Sequence, residues 1–220
     1  ASVSGTVTGI HPVLSAGGYD VQAIEIESDG AQSVSADVRA PLLTDTASYL
    51  RAVRESGIVG LGGAGFPASV KLNPPADAKL DTLIINGAEC EPYITSDYRT
   101  MLERTAEIIE GIDAIMKITG ISRTLIGIES NKPAAIKKFA DLLKNRKDIT
   151  VVKLRSRYPQ GGEKQMIYAM TGRVVPTGKL PSEVGVLVHN AATAAFLAGY
   201  FRTGMPLVEK VITVDACVKE

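Results

Sequence analysis

Four short apolar runs alternate with helical segments between residues 80 and 199 of this 220-residue chain. The runs occupy residues 80–87, 123–130, 148–156 and 183–190. The helical patterns lie near residues 99–119, 133–146, 162–170 and 191–199. Continuous apolar strands that alternate with helices are typical of a parallel sheet with both faces covered. The sequence therefore predicts an α/β fold with a Rossmann-like, largely parallel sheet and helices on both faces.

The segments on either side of this pattern differ in character. Residues 3–38 contain β-branched runs separated by Gly-Gly and Asp-Gly turn signals, which predict a small β unit. A helix-start signal at Asp45 or Thr46 opens the next unit. The chain lacks an initiator Met and stops in an alternating, strand-like pattern, so we expect a piece of a longer polypeptide. The predicted divisions are residues 1–40, residues 41–205, and residues 206–220 as the start of a following β domain.

Charge and cysteine content narrow the kinds of partner. The chain has 24 basic and 24 acidic side chains, which gives no broad basic surface for nucleic acid or an anionic membrane. No apolar run reaches the roughly 18 residues of a membrane-spanning helix, and no signal peptide is recognisable. Cys90 and Cys217 form no C-x-x-C motif, so no metal cluster is predicted within this chain. We expect a soluble, intracellular chain that binds a small molecule or another protein.

Residues 57–67, GIVGLGGAGFP, concentrate five glycines. Gly60, Gly62 and Gly65 match G-x-G-x-x-G, but a helix precedes them where a dinucleotide fingerprint has a strand. A phosphate-binding P-loop would continue with Lys, whereas Phe66 follows the last glycine. Two interpretations stay open: a tight loop that needs positive φ angles, or bare backbone that a flat ring or an anion approaches at the start of the next helix.

Three further loops follow the predicted strands, at the edge where open α/β sheets bind ligands. After the first strand comes NGAECEPY, in which Glu89 and Glu91 predict either acid–base or hydrogen-bonding chemistry or a solvated acidic turn. Cys90 lies between the two acids, which favour the thiol over the nucleophilic thiolate. In YPQGGEKQ, Glu163 either binds a ligand or only caps a helix. His189 is interpreted as a strand-end histidine. The only other imidazole is His11, and a His-based metal site needs more histidine ligands than these two.

Four segments in this order resemble the flavin-binding domain of the C subunit of bacterial Rnf complexes, which is related to the flavoprotein subunit of respiratory complex I. They are GIVGLGGAGFPASVKL, LIINGAECEPYITSDYR, YPQGGEKQMIYAMTGRVVP and VGVLVHNAATA. Together they extend from Gly57 to Ala194, and the β unit before them resembles the barrel-like N-terminal element of that family. The resemblance implies noncovalently bound FMN, with NADH stacked against it to deliver a hydride.

The resemblance also implies which residues line the site. The positions that match FMN contacts are Gly60, Leu61, Gly62, Gly63, Lys71, Asn86, Glu89, Cys90, Tyr158, Gly161, Asn190 and Thr193. The positions that match NADH contacts are Phe66, Glu163 and, more loosely, Lys179. Asn190 and Thr193 match positions near the flavin phosphate. No catalytic side chain is implied, because the flavin itself is the redox centre.

Two departures from complex I concern Leu61, where that family has arginine, and Ala88 to Glu91, where it has Asp-Glu-Ser-Glu. The 4Fe-4S clusters of the Rnf family are bound by downstream cysteines that this chain does not contain. The resemblance implies flavin-dependent electron transfer between NAD(H) and, through those clusters, ferredoxin. The chain would serve an ion-pumping complex as a peripheral subunit on the cytoplasmic side of the bacterial inner membrane. A cobalamin reductase of the same superfamily and a flavin-free subunit-docking module are the alternatives.

Overall fold

The computed structural model describes residues 2–15, 17–75 and 77–215, so Cys217 and the last part of the expected third division lie outside it. The chain forms two units, Ala1–Arg39 and Ala40–Glu220. In the first, β1 (Gly5–Leu14) and β2 (Asp20–Ser28) pair as an antiparallel hairpin.

A third predicted β-branched run in this unit, residues 31–38, is not a strand, so that part of the expectation is wrong. Its backbone bonds to nearby polar side chains instead. Ala31 N donates to Asp29 Oδ1 (2.9 Å), and Ser33 N donates to Ser4 Oγ (3.0 Å). Such side-chain acceptors compete with strand ladders for the backbone donors.

The second unit is built on a four-stranded parallel sheet, as the alternation predicts. Its strands are β3 (Thr82–Gly87), β4 (Thr124–Glu129), β5 (Ile149–Leu154) and β6 (Val186–Asn190), in the order β5-β4-β3-β6. Its helices are α1 (Thr46–Glu55), α2 (Ala68–Lys71), α3 (Ser96–Glu103), α4 (Thr105–Thr119), α5 (Pro133–Leu143), α6 (Glu163–Thr171) and α7 (Ala191–Thr203). No helix in the described part of the chain has the length and apolarity that crossing a membrane requires.

Two element boundaries differ from the sequence expectation. The helix predicted near residues 99–119 is two helices, because Arg104 leaves the helical region (φ −121°, ψ 31°). Thr100 and Thr105 donate their hydroxyls to carbonyls one turn back, an arrangement that bends helices. The run at 183–190 begins as a 3-10 helix, and the strand starts only after Gly185 turns the chain with a φ of 76°.

Both faces of the sheet are buried. On one face, Leu83 and Ile85 of β3 join a large cluster with residues of α1, α4, α5 and α7. On the other, Ile84 packs with Met166 and Ile167 of α6. All six residues of β4 are buried, which explains why this strand is a continuous apolar run with no alternation. The loops at the carboxyl ends of the strands therefore rest on a rigid support.

Candidate functional site

The glycine loop, residues 57–67, is a closed turn between α1 and α2. Gly60 N donates to Phe66 O across its base (2.8 Å). Gly63 and Gly65 have φ angles of 116° and 63°, which side chains rarely adopt. A Cβ at either position would meet no atom within 4 Å. The loop therefore presents bare backbone to open space. The interpretation as a tight loop with positive φ angles is confirmed, and the approach of a flat ring to this backbone stays a prediction.

The helix after the glycine loop is only one turn long. Its N–H groups at Ala68, Val70 and Lys71 already donate to the carbonyls of Ile58 and Pro67. A helix this short has a small dipole, and three of its N–H groups are paired. The anion-binding helix start that the sequence suggested is not formed at α2.

The glycine loop is anchored to the start of α7. Leu61 N donates to Thr193 Oγ1 (3.0 Å), a contact across 132 residues of sequence. Gly62 lies against Asn190, because a Cβ at Gly62 would be 3.4 Å from the Asn190 side chain. The structure thus brings together four residues that the resemblance assigned to FMN.

Asn190 is also the N-cap of α7. Its Oδ1 accepts from Ala192 N (2.9 Å) and Thr193 N (3.2 Å), which satisfies two free donors of the helix. Its Nδ2 donates to Asp97 Oδ2 at 2.6 Å, and burial raises the pKa of that Asp97 carboxyl. The side chains of Asn190 and Thr193 thus already form hydrogen bonds, Asn190 with the start of α7 and Thr193 with the glycine loop.

The loop after β3 and the loop before α6 meet at one junction. Asn86 Nδ2 donates to Gly161 O (2.9 Å), and Gly161 N donates to Cys90 Sγ (3.2 Å). A Cβ at Gly161 would be 2.5 Å from Ala88 O, so only glycine allows this approach. Asn86 and Cys90 both contact Gly161 directly, and the resemblance had assigned all three to the FMN site from two distant segments.

The two acids of the loop after β3 have different surroundings. Glu89 is buried and accepts from Asp97 N (2.7 Å) and Tyr98 N (3.2 Å) at the start of α3. Burial raises the pKa of Glu89, an effect that these two hydrogen bonds oppose. Glu91 is exposed, so the solvated-turn interpretation describes Glu91 but is wrong for Glu89. Burial also raises the pKa of the Cys90 thiol, in agreement with the argument against a nucleophile.

Lys71 and Glu163 form an ion pair at the edge of the sheet, with Lys71 Nζ 2.6 Å from Glu163 Oε1. Lys71 Nζ also donates to Val188 O (2.8 Å). Because β6 is an edge strand, this carbonyl has no neighbouring strand on its outer side, and Lys71 supplies the missing donor. The pair joins one predicted FMN position to one predicted NADH position.

Two clefts lie beside these loops, one along β6 and the other at the carboxyl ends of β3 and β4. One, of about 160 Å³, is lined mostly by apolar side chains that include Phe66, Val70 and Leu180, and its lining also contains Lys71. The other, of about 500 Å³, is lined by Glu89, Cys90 and Tyr158 among others. Phe66 and Tyr158 are exposed residues, with 49% and 70% of their surface accessible.

Lys179 stands apart from the other predicted positions. It pairs with Glu183 one turn along the chain (2.9 Å) and lowers the pKa of that carboxyl. Within the described residues, no hydrogen bond joins Lys179 to the loops above. Its assignment to NADH stays a prediction.

His189 is a buried residue at the end of β6, as the strand-end interpretation expected. Its Nε2 has no hydrogen-bond partner among the described residues. Burial, helped by the charge of Lys71, lowers the pKa of His189 to about 3, so the imidazole is neutral near pH 7. No three His, Cys, Asp or Glu side chains in the described ranges are grouped to bind a metal ion.

Sequence reasoning missed three buried or half-buried charged residues beside these loops: Asp97, Glu129 and Lys132. Glu129 and Lys132 are 2% and 6% exposed and form an ion pair at the end of β4. The sequence signal was available, because a charged residue ends the apolar run TLIGIE at the ligand-binding edge.

Comparison with known proteins identifies the family. The sequence profile of the Nuo51 FMN-binding domain matches residues 53–198, which include every loop described above. The chain belongs to the Nuo51 FMN-binding domain family. The resemblance inferred from the four segments is thereby confirmed.

Relatives of this Nuo51-type domain include the C subunit of the proton-translocating ferredoxin:NAD(+) oxidoreductase complex of Clostridium ljungdahlii, 42% identical over 100% of this chain. The C subunit of the Na(+)-translocating complex of Acetobacterium woodii is 42% identical over 97% of the chain. The C subunit of the ion-translocating oxidoreductase complex of Pseudomonas aeruginosa is 41% identical, also over 97%. The chain covers 49% of each of the first two relatives and 28% of the third.

The Nuo51-type fold also occurs among solved structures. One is an NAD+-reducing [NiFe]-hydrogenase in its air-oxidized state, with a TM-score of 0.57 and 22% identity. The match covers 71% of this chain and 30% of the hydrogenase chain. The H2-reduced state of such a hydrogenase gives a TM-score of 0.55 at 23% identity, over 71% of this chain and 31% of that one. These likenesses confirm the predicted α/β fold.

Proposed function

We propose that this chain binds FMN and NAD(H) at the carboxyl edge of its parallel sheet. It would transfer electrons between NAD(H) and an acceptor within an ion-translocating ferredoxin:NAD(+) oxidoreductase complex. One observation carries the proposal: loops and helix ends that are far apart in sequence are hydrogen-bonded to one another at this edge. The contacts are Leu61 to Thr193, Asn86 to Gly161, Gly161 to Cys90, and Lys71 to Glu163.

The residues at this edge fit FMN. The open side of the glycine loop at Gly63 and Gly65 is a cradle without side chains, which suits a planar ring. Tyr158 adds an exposed aromatic face, and Lys71 adds a cation for polar groups of the ring. The FMN set in this proposal is Gly60, Leu61, Gly62, Gly63, Lys71, Asn86, Glu89, Cys90, Tyr158, Gly161, Asn190 and Thr193.

NAD(H) would bind next to the flavin, with Phe66, Glu163 and Lys179 as its contacts. Phe66 is half-exposed and lines an apolar cleft, a surface on which an adenine ring can stack. Glu163 can accept hydrogen bonds from ribose hydroxyls once Lys71 is drawn toward the flavin. The two ligands would thus meet across the Lys71–Glu163 pair.

Bound FMN would supply the redox chemistry, which combines two-electron hydride exchange with one-electron release. The protein contributes position and electrostatics. Glu89 fixes the loop after β3 on the start of α3, and the absence of a side chain at Gly161 lets the loop before α6 approach it closely. The 4Fe-4S clusters and the path to ferredoxin would belong to parts of the protein outside this chain.

In this proposal, residues 41–205 are the FMN- and NAD-binding domain, residues 1–40 a small β unit, and residues 206–220 the start of a following β domain. The chain would be a peripheral subunit on the cytoplasmic side of the bacterial inner membrane. Its partners would be the other subunits of the complex and, indirectly, ferredoxin. The names of the relatives, each a C subunit of such a complex, support membership of this kind of complex.

The test is a titration of the purified chain with FMN, followed by NADH under anaerobic conditions, with the flavin absorbance as the readout. Saturable binding and bleaching by NADH are expected. Binding without bleaching would contradict the nicotinamide half of the proposal. A folded sample that binds no FMN would contradict the flavin half and favour a docking module.

A substitution separates the two ligands. Glu163→Gln should weaken NADH binding about tenfold, because one charge-assisted hydrogen bond is worth about 1.5 kcal/mol or more, while FMN affinity changes less. Glu110→Gln is the matched control, since Glu110 is an exposed residue paired with Arg202 on α7. Equal losses for FMN and NADH in Glu163→Gln would contradict the assignment.

A further inference from the structure

Glu129 and Lys132 are charged residues in an otherwise apolar part of the molecule. The side chains are 2% and 8% exposed, and every residue of β4 before Glu129 is buried. Burying two charges has a large desolvation cost, and well-packed apolar residues in their place are often as stable or more so. Packing alone therefore does not account for an ion pair at this position.

The pair contacts two loops through their backbones. Glu129 Oε1 accepts from Arg157 N (3.2 Å), and Glu129 Oε2 lies 3.5 Å from Lys132 Nζ. Lys132 Nζ also donates to the carbonyl of Glu89 at 3.1 Å. One buried pair thus satisfies a donor of the loop before α6 and an acceptor of the loop after β3.

These are the loops that meet at the Gly161 junction. Gly161 has no space for even a methyl group, and its N–H reaches Cys90 Sγ at 3.2 Å. Contacts this close require a fixed distance between the two loops. The large cleft whose walls include Glu89, Cys90 and Tyr158 also contains Glu129 and Lys132 in its lining.

We infer that Glu129 and Lys132 are positioning residues, whose buried ion pair holds the loops at Glu89 and Arg157 at the spacing the flavin site requires. The expected effect of this ion pair on FMN affinity rests on the proposed function. The structural part of the inference, the bracing of two loops, concerns the ligand-free chain and can be tested without FMN.

The first experiment compares amide hydrogen exchange in the ligand-free wild type and Lys132→Met. Met keeps the length of the side chain but removes the charge and the donors. Exchange should become at least tenfold faster at residues 88–91 and 157–162, with little change in α4 and α7. Lys132→Arg keeps the charge and the donors and should restore slow exchange. If exchange in Lys132→Met were faster by the same factor throughout the chain, or unchanged at these residues, the inference would be overturned.

The second experiment measures FMN affinity well below the unfolding transition. Lys132→Met should weaken binding at least tenfold, and Lys132→Arg should recover most of it. Lys137→Met removes an exposed pair with Asp141 on the neighbouring helix α5 and should change nothing. A purely structural role would lower the melting temperature of Lys132→Met without changing FMN affinity of the folded protein, and that result overturns the inference.

Glu129→Gln keeps the inference falsifiable if Lys132→Met does not fold. Gln retains an oxygen for Arg157 N but removes the charge that Lys132 faces, so faster exchange is expected mainly at residues 88–91. Unchanged exchange at these residues would overturn the inference. A wild-type chain that binds no FMN would instead overturn the proposed function, and the exchange data would still decide whether the pair braces the loops.

Discussion

The glycine loop and the crossing of α4 with α7 both depend on glycine, for opposite reasons. At Gly63 and Gly65, a Cβ would meet no atom within 4 Å, and the positive φ angles set the requirement. At Gly111 in α4, the backbone is ordinary helix, but a Cβ would overlap the carbonyl oxygen of Ala194 in α7. The first region is open to a ligand and the second is closed by packing.

The difference shows what a glycine in a sequence can and cannot reveal. A run of glycines, as in residues 57–67, points to unusual backbone and predicted the loop correctly. An isolated glycine inside a helical pattern carries only a small propensity penalty, and nothing local indicates that another helix will touch it. The closeness of α4 to α7 also fixes the start of α7, where Thr193 anchors the glycine loop.

The largest expected effect is at the closed region. Gly111→Ala should destabilise the protein by about 3 kcal/mol, because overpacking against a backbone carbonyl forces the helices apart and outweighs the higher helix propensity of Ala. Gly199→Ala in α7 is the matched control, since its Cβ would come no closer than 3.7 Å to Arg104. The control should gain up to about 1 kcal/mol. Urea unfolding measures both, and equal effects would contradict the comparison.

Gly161 lies at the proposed site, but like Gly111 it is a position where packing leaves no space for a side chain. Gly161→Ala places a Cβ 2.5 Å from Ala88 O and 3.2 Å from Cys90 Sγ. We expect a loss of about 2 kcal/mol in FMN binding, or roughly 30-fold in affinity, because the two loops must separate. A fluorescence titration checks this, and unchanged affinity would show that the junction tolerates a wider spacing.

Most of the sheet could be predicted from the sequence, since each strand lies within a predicted apolar run. Buried parallel strands are continuous apolar runs, so their signal is local. The break at Arg104 was not predicted, because helical periodicity continues through it and the bend depends on Thr100 and Thr105. The strand expected at residues 31–38 failed because turn-forming side chains took its backbone donors.

The site was predictable in part for a similar reason. Loops after parallel strands meet at one edge, so residues such as Asn86 and Gly161 could be grouped without a structure. The contacts that connect the loops were not predictable, because Leu61 and Thr193 are 132 residues apart and Lys71 and Glu163 are 92 apart. Pairings at this distance depend on the exact approach of elements that local sequence does not encode.

His189 is the second-last residue of β6, and only Asn190 separates it from α7. Its folded-state pKa is about 3, below its ordinary value of 6.5, so below about pH 6.5 the unfolded chain binds a proton that the folded chain does not. Stability should therefore fall as pH decreases from about 6.5 toward 3, by roughly 2 kcal/mol at pH 5.

Other groups act in the opposite direction. The pKa values of Glu89 and Asp97 are raised by burial, so their contribution to stability is greatest at low pH and is lost as pH rises through the folded-state values. Comparison of the wild type with His189→Leu isolates the contribution of His189 to the pH dependence of stability. The variant should lose less stability than the wild type between pH 7 and pH 5, by urea unfolding at both. Equal losses would mean that the imidazole protonates in the folded state.

The smallest effects are expected in the open region. Gly63→Ala should cost about 1 to 2 kcal/mol, because alanine is strained at a φ of 116° even though its methyl group has space. Gly60→Ala is the control, since its Cβ would lie 3.6 Å from Phe66 O in ordinary contact, and a change within about 0.5 kcal/mol is expected. Urea unfolding measures the free energy of unfolding of both variants and so separates backbone strain from crowding. If Gly60→Ala lowered that free energy more than Gly63→Ala, packing would limit the loop, as it does at Gly111. The contrast between the two regions would then be wrong.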